Sequence, residues 1–332
     1  MKYIKYLLML TIAVLMTACG TDNDVDPQSI FDTSAPARNS FDQWLLENYT
    51  NPYNISFIYK YQDSETNNSY NVVPPSLETA KTLAIIIKHV WIDAYNECMQ
   101  GVFGADGTTF MKTYAPRIIF LLGSHQYRTS GERVLGTAEG GLKVTLFGTN
   151  EIDTENLFID QESSYPDTDA LPIDLNYWFF HTMHHEFCHI MTQKKSYDTS
   201  FQDISAAHQR LGDWINMPYS DGPKYGFVSN YASSEYNEDF AEIFATYVTL
   251  SEEAWNGIIA DAKKYAEDSS IEARSETADS DILNKLEIVK KYFNDTWGLD
   301  MDKMRDIVLR RSNEVVERGV DLDRMTLKNA TN

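Results

Sequence analysis

Cysteine is scarce in this chain. Its 332 residues include three cysteines, Cys19, Cys98 and Cys188. Small secreted scaffolds that depend on disulfides carry many more, so this class is excluded. We expect Cys98 and Cys188 to be buried thiols rather than a disulfide. The fold must then be held by an ordinary hydrophobic core.

Basic residues are also few. The chain has 28 Lys and Arg against 49 Asp and Glu, which gives a formal net charge of −21. Nucleic acids and anionic lipid surfaces are bound mainly through clusters of positive charge. The charge balance therefore argues against both as partners, and it predicts a well-solvated surface.

Long apolar runs are missing except near the N-terminus. Leu7–Ala18 follows Lys2 and Lys5 and is shorter than the ~20 residues that span a bilayer, so residues 1–18 are typical of a secretory signal. The run ends in Leu15-Met16-Thr17-Ala18-Cys19, which resembles the lipobox of bacterial lipoproteins. That resemblance implies cleavage before Cys19 and a diacylglycerol on its thiol. An ordinary signal followed by a chance cysteine is the alternative.

Residues 19–40 read as a flexible polar tether, since the segment after Cys19 is rich in Asp, Asn and Thr. An acylated Cys19 would hold a soluble domain on an outer membrane, with the lipid as its sole membrane contact. The acidic residues also resemble the surface-export tags of some Gram-negative lipoproteins. The domain could face either the periplasm or the exterior.

The remaining chain shows no internal repeat, and its length suits one large domain or two packed lobes. Alternation and apolar runs predict strands at residues 55–61, 117–122 and 142–147. Helical spacing predicts helices from Ser76 to residue 95, at 281–297 and at 301–317. We therefore predict an α+β fold, with a mixed β/α lobe over 41–195 and a mainly helical lobe over 196–332.

The most informative motif is His185-Glu186-Phe187-Cys188-His189. A helix turns by about 100° per residue, so His185 and His189 share one face. Two imidazoles beside the carboxylate of Glu186 form the core of a zinc hydrolase site. We expect this helix to begin near Asp174. Its core side is predicted to carry Phe179, Met183, Phe187 and Ile190.

Two histidines do not complete a catalytic zinc site, which usually takes three protein ligands and keeps a position for water. The metzincin extension requires a glycine and a third histidine where this chain has Thr192 and Lys195. The reversed HxxEH motif does not fit either. A carboxylate from a later helix remains as the third ligand.

The segment from Asn237 to Glu242 is the best donor of that carboxylate. Glu238 and Glu242 share one helical face, so Glu238 could bind zinc while Glu242 hydrogen-bonds a ligand imidazole. Glu235 and Asp239 are alternatives for the third ligand. A solvated acidic helix face without any metal is the structural alternative.

Two neighbours of the motif have open roles. His181 lies one turn before His185 and could support the metal or line the cleft, although packing or capping is the commoner role of such a histidine. Cys188 as a fourth ligand would make a closed structural site. Its offset from the histidine pair argues against that role.

The pattern HEFCH, followed by Tyr231-Ala232 and Glu238-Asp239-Phe240-Ala241-Glu242, resembles the gluzincin peptidases of the lethal-factor-like branch. Together with the lipobox, it resembles the substrate import-associated zinc metallohydrolase lipoproteins, a family of zinc-binding metallopeptidases. The resemblance implies a zincin-like metalloprotease fold. The long gap between His189 and Glu238 departs from thermolysin-like enzymes, so their substrate pockets are not implied.

The same resemblance implies the roles of individual residues. One Zn²⁺ would be held by His185, His189 and Glu238, Glu186 would be the general base, and Tyr231 would donate to the developing oxyanion. A peptide or protein would be the substrate. The implied neighbours are a TonB-dependent importer and its substrate-binding lipoprotein.

Two other functions stay open. One is a non-catalytic accessory lipoprotein that binds peptide or glycan for such an importer. The other is a metallohydrolase acting on a non-peptide amide. The intact Glu186 favours an enzyme, because a binding protein needs no general base. By analogy with gluzincins, the strand at 142–147 is expected to pair with an extended peptide.

Overall fold

The computed structural model describes residues 38–61, 72–127, 133–134, 136–139 and 142–330. The predicted signal, Cys19 and all but the last three residues of the predicted tether lie outside the described residues. Residues from Ser40 onward belong to one compact unit. The division of this unit into lobes at residue 195 stays a prediction.

Helices account for most of the described structure. The α-helices are α1 (Ser40–Leu45), α2 (Asn51–Tyr53), α3 (Leu77–Ile87), α4 (Asp93–Cys98), α5 (Thr108–Tyr114), α6 (Thr182–Lys194), α7 (Tyr236–Thr249), α8 (Glu252–Glu267), α9 (Ala278–Tyr292) and α10 (Met301–Arg318). Wider π-helical turns occur at Leu46–Thr50, Lys88–Ile92, Asn176–His181 and Phe293–Trp297. Between α6 and α7 the chain forms short 3₁₀ turns, as expected from its loop-rich sequence.

The strands are β1 (Ser56–Ile58), β2 (Ile118–Leu121), β3 (Gln126–Tyr127), β4 (Arg133–Val134), β5 (Gly136–Glu139), β6 (Lys143–Leu146), β7 (Val320–Asp321) and β8 (Thr326–Leu327). The main sheet has the order β1-β2-β6-β5. β1, β2 and β6 are parallel, and β5 is antiparallel to β6. This mixture of sheet and helices confirms the α+β class.

The position of β6 corrects one expectation. β6 lies between β2 and β5 and pairs with both, so its backbone groups are already engaged. Its pairing with an extended peptide is therefore wrong. Among the described residues β1 and β5 are the two edge strands of this sheet, so β5 rather than β6 is the strand beside α6 that can accept another chain.

The motif helix begins where the sequence predicts. Asp174 caps it, since its carboxylate accepts hydrogen bonds from the backbone N–H of Asn176 at 2.9 Å and Tyr177 at 3.3 Å. The chain then runs through the π turn into α6. The predicted core side is confirmed by the burial of Phe179, Met183, Phe187 and Ile190.

α7 packs beside α6 and is fixed by a buried ion pair. Lys285 on α9 lies 2.6 Å from the Asp239 carboxylate, and both side chains are almost fully buried. The same ammonium donates to the carbonyl of Gly226 at 2.8 Å and lies 4.0 Å from the centre of the Phe227 ring. One lysine thus ties α7 to the loop that leads to Tyr231.

Cys98 and Cys188 are free and buried, as predicted. Their sulfurs therefore contribute to the core rather than to a cross-link. Among the described residues, no helix combines the length and the apolar character needed to cross a membrane.

Candidate metal centre

Packing of α6 against α7 brings His185, His189 and Glu238 together. Their ligand atoms, the two Nε2 nitrogens and Glu238 Oε2, lie 3.0 Å from one another in all three pairs. The three side chains are largely buried, and that of Glu238 is the most exposed, at 25%. The structure therefore places three metal-ligating atoms at one point of the cleft wall.

The donor set fits a zinc ion. His185 Nδ1 lies 2.8 Å from Glu242 Oε1, so this nitrogen donates to the carboxylate and leaves a lone pair on Nε2. Lone pairs of His185, His189 and Glu238 then converge, which is repulsive unless a cation lies between them. Ligands of a tetrahedral zinc at about 2.0–2.1 Å are about 3.3 Å apart, close to the spacing observed here.

The electrostatics of the cluster favour positive charge. Burial lowers the pKa of His185, but its hydrogen bonds to Glu238 and Glu242 outweigh burial and raise that pKa well above its ordinary value. Burial raises the pKa of Glu238, whereas the two histidines lower it by a larger amount. The cluster therefore attracts a cation, which can be a proton or a metal ion.

Glu242 holds His185 and His181 in place through hydrogen bonds. Its Oε1 accepts from His185 Nδ1 and from His181 Nε2, each at 2.8 Å, and its Oε2 accepts from Ser229 Oγ at 2.6 Å. Such a contact fixes the tautomer and the orientation of a ligand imidazole. The sequence favours packing or capping as the role of His181, whereas the structure places its ring beside the centre, hydrogen-bonded to Glu242.

His181, His185 and Glu242 form a second group with metal-binding spacing. In this group both imidazole nitrogens face one carboxylate oxygen at 2.8 Å. Two N–H donors and one acceptor oxygen satisfy each other, so this second group needs no cation. The first group is the better metal site.

The structure separates the three acids considered as the third ligand. Asp239 faces Lys285 on the other side of α7. Glu235 caps α7, because its carboxylate accepts from the backbone N–H of Asn237 at 2.9 Å. Glu238 alone of the three meets both histidines.

Glu186, Tyr231 and Cys188 occupy different positions around this cluster. Glu186 lines the cleft with 8% exposure, and burial is the main cause of the raised pKa of its carboxyl group. The ring centre of Tyr231 lies 5.8 Å from that of His185. Burial and nearby carboxylates raise the pKa of Tyr231, so its hydroxyl stays protonated. Burial also raises the pKa of the Cys188 thiol, which disfavours the thiolate that zinc binds.

The cleft consists of two adjoining cavities, of about 410 Å³ and about 700 Å³, which share Gly136, His185, Glu186 and Tyr231 as lining residues. The larger cavity is also lined by His189 and Glu238, so it contains the whole cluster. β5 begins at Gly136, where a Cβ atom would lie 2.4 Å from the methyl group of Thr182. Glycine therefore lets the sheet edge approach α6 closely.

Ser229 is the supporting residue that the sequence does not reveal. Besides donating to Glu242, its hydroxyl accepts from the backbone N–H of Ala232 at 3.0 Å, which orders the turn carrying Tyr231. No spacing relates Ser229 to the HExxH motif. Its proximity to Tyr231 in the chain is the sole available signal.

Comparison with known proteins agrees with this geometry. Residues 34–302 match the model of a family described as putative zinc-binding metallo-peptidase. The chain belongs to this family. Its fold is similar to a crystal structure described as a putative zinc-binding metallo-peptidase from Bacteroides caccae, with 37% sequence identity and a TM-score of 0.65, covering 90% of this chain and 100% of that one. No curated protein matches the sequence.

Membership confirms the zinc-binding metallopeptidase family indicated by the motifs, and with it Zn²⁺ as the cofactor. A zinc metallohydrolase of the metallopeptidase kind is the class that both matches support.

Proposed function

We propose that this protein is a zinc-dependent peptidase of the gluzincin type with a zincin-like fold. His185, His189 and Glu238 would hold the zinc, and Glu186 would act as the general base. The observation that carries this proposal is the meeting of three ligand atoms at 3.0 Å beside Glu186 in a two-sided cleft. When bound, zinc would polarise the substrate carbonyl and acidify a water molecule.

The chain's own groups supply the remaining chemistry. Glu186 would accept the proton of the attacking water and return it to the leaving amine, and its raised pKa brings it closer to the range useful near neutral pH. Tyr231, held protonated, would donate a hydrogen bond to the oxyanion. The edge of β5 that has no partner strand among the described residues would pair with the extended peptide.

Replacing Glu186 by Gln tests this function. Zinc content, measured by mass spectrometry, should be unchanged because all three ligands remain. Cleavage of a peptide mixture should fall by about 10³-fold, because a positioned general base contributes about 10²–10⁴-fold. Glu162→Gln, an exposed acid away from the cleft, should keep wild-type activity. Full hydrolysis by Glu186→Gln would refute the mechanism.

We also propose that Cys19 carries the lipid anchor and holds the protein at an outer membrane. The short apolar segment and the lipobox support this proposal, and the family resemblance supports a TonB-dependent importer and its substrate-binding lipoprotein as neighbours. The enzyme would then trim or release peptide cargo for import. A single acyl chain anchors only marginally, so the several chains of a lipoprotein are needed.

Membrane fractionation of Cys19→Ser tests the anchor. The variant should leave the membrane fraction while retaining wild-type activity on a soluble peptide. Cys98→Ser, which alters a buried thiol, should remain membrane-bound and is the matched control. If Cys19→Ser stayed with membranes after a high-salt wash, the lipid anchor would be wrong and the importer proposal would lose its basis.

A further inference from the structure

The two sides of the cleft have different walls. On the side of the smaller cavity, four aromatic residues besides Tyr231 line the space, and we call it the aromatic arm: Tyr177, Trp178, Trp214 and Tyr219. The larger cavity, which also contains His189 and Glu238, is lined mostly by polar residues such as Gln193, Ser196, Gln202 and Asn237, and we call it the polar arm. The reacting bond would lie between them.

The aromatic arm is a preformed pocket. Trp178 is 2% exposed, and its ring lies 4.9 Å from His125 and 5.5 Å from Tyr177. Trp214 stands edge-on to Tyr231 at 4.8 Å. These mutual contacts hold the rings in place, so little ordering is required when a ligand enters. The volume of about 410 Å³ falls within the range of specific ligand pockets and accommodates a large side chain.

The charges around this arm are already compensated. Arg133 is the sole Lys or Arg among the described lining residues, and its guanidinium lies 3.2 Å from the Asp169 carboxylate. Glu242 accepts from three donors. Apart from Glu186, which lines both arms and would act on the reacting bond itself, no lining charge is left to attract a charged side chain. Aromatic rings remain, and they bind other rings in edge-to-face or offset geometry.

We propose that the aromatic arm is a specificity pocket and that the protein cleaves internal peptide bonds next to a bulky aromatic residue. This inference rests on the proposed peptidase function. The bond is internal because the cleft continues on both sides of Gly136, His185 and Tyr231. A substrate chain can thus extend from these shared residues into both cavities, and no free terminus is needed.

Peptides blocked at both ends and differing at one residue beside the cleaved bond test the preference. The zinc-loaded protein should cleave the Phe, Tyr and Trp members with a kcat/KM about 10- to 100-fold higher than the Ala member. Asp and Lys members should be poorer still. Equal rates for Phe and Ala, a preference for Asp or Lys, or cleavage restricted to unblocked peptides would overturn the proposal.

Ile215, a half-buried residue of the arm's wall, allows the pocket itself to be altered. Ile215→Trp should fill the arm and reverse the preference toward Ala. If that variant does not fold, Ile215→Ala should still reduce the preference for Phe severalfold. Phe103→Ala, an aromatic residue 82% exposed outside the cleft, should leave the preference unchanged. If every Ile215 variant that folds kept the wild-type preference for Phe over Ala, this arm would be excluded as the specificity pocket.

Binding separates failure of this inference from failure of the proposed function. Glu186→Gln should bind the blocked Phe peptide about 10-fold or more tightly than the Ala peptide in calorimetry, without turnover. Selective binding would support the arm even if the wild-type protein cleaved no peptide, which would itself refute the peptidase function. Cleavage without selectivity would refute the arm and leave the function intact.

Discussion

Two neighbouring acids on α7 lie in buried surroundings of opposite kinds. Asp239 meets the ammonium of Lys285 at 2.6 Å, so the protein itself supplies the compensating charge. Glu238 meets two imidazole nitrogens at 3.0 Å that converge on the same point. The countercharge of the first cluster is supplied by the chain, whereas the second requires a cation. This difference separates a structural acid from a metal ligand better than residue type does.

Two adjacent histidines on α6 repeat the contrast. His184 is fully buried, its Nδ1 lies 3.1 Å from the Tyr95 hydroxyl, and burial lowers its pKa to about 3. It therefore stays neutral within the core. His185, one residue later, turns its Nε2 toward Glu238 and His189. Because successive residues on a helix are rotated by about 100°, the two rings point into different surroundings and have different roles.

Removing a ligand should produce the largest effect. His189→Ala should lose its zinc and its hydrolytic activity, because two protein ligands bind zinc far more weakly than three. Metal content and peptide cleavage measure the two losses.

His184→Leu is the matched control on the core side of the same helix. It should keep its zinc, although leaving the buried Tyr95 hydroxyl without a partner should lower the free energy of unfolding by about 1–3 kcal/mol. Zinc at the wild-type level in His189→Ala would contradict the assignment. So would loss of zinc in a folded His184→Leu.

Breaking the ion pair between Lys285 and Asp239 should destabilise the fold. Lys285→Met leaves Asp239 buried without its partner and should lower the free energy of unfolding by about 3–5 kcal/mol in urea denaturation. The folded fraction should still bind one zinc, because no ligand is changed.

The double variant Lys285→Met with Asp239→Leu is the informative comparison. It removes both charges together and should recover most of the lost stability. A double variant as unstable as Lys285→Met would show that Lys285 acts mainly through Gly226 and Phe227 rather than through Asp239.

Helical spacing explains why so much of this centre could be predicted from the sequence. His185, His189, Glu238 and Glu242 are related by intervals of four residues within two helices, and such intervals determine a shared face. The residue pattern also indicates the helix that donates the third ligand, but it leaves Glu235 and Asp239 as alternatives to Glu238. The family resemblance implies Glu238, and the structure places the two helical faces against each other.

Other features depend on long-range packing that no local pattern records. β5 has the sequence Gly-Thr-Ala-Glu, which has little strand propensity, and its conformation depends on pairing with β6. Ser229 reaches Glu242 through a loop of 3₁₀ turns. The sequence leaves Asp239 as an alternative to Glu238, and its ion pair with Lys285 on α9 is what separates the two acids.

Replacing Glu242, which hydrogen-bonds His185, should have a smaller effect than replacing a metal ligand. Glu242→Ala removes the acceptor that fixes the imidazole and should weaken zinc binding by about 10- to 100-fold, because partners of metal-bound histidines contribute on this scale. Ser229→Ala leaves both histidine contacts of Glu242 in place. Its zinc affinity should therefore fall by less than about 10-fold. Competition with a chromophoric chelator measures both affinities.

Ser251→Ala is the control for the loss of a serine hydroxyl. Ser251 caps α8 by accepting from the N–H of Ala254 at 3.2 Å, and its loss should lower the free energy of unfolding by about 1 kcal/mol without altering zinc affinity. Ser229→Ala should lose comparable stability and, in addition, bind zinc more weakly. If Ser229→Ala and Ser251→Ala had equal zinc affinities, Ser229 would belong with Lys285 among the structural contacts. Glu242 would then be the outermost residue of the metal centre that influences zinc binding.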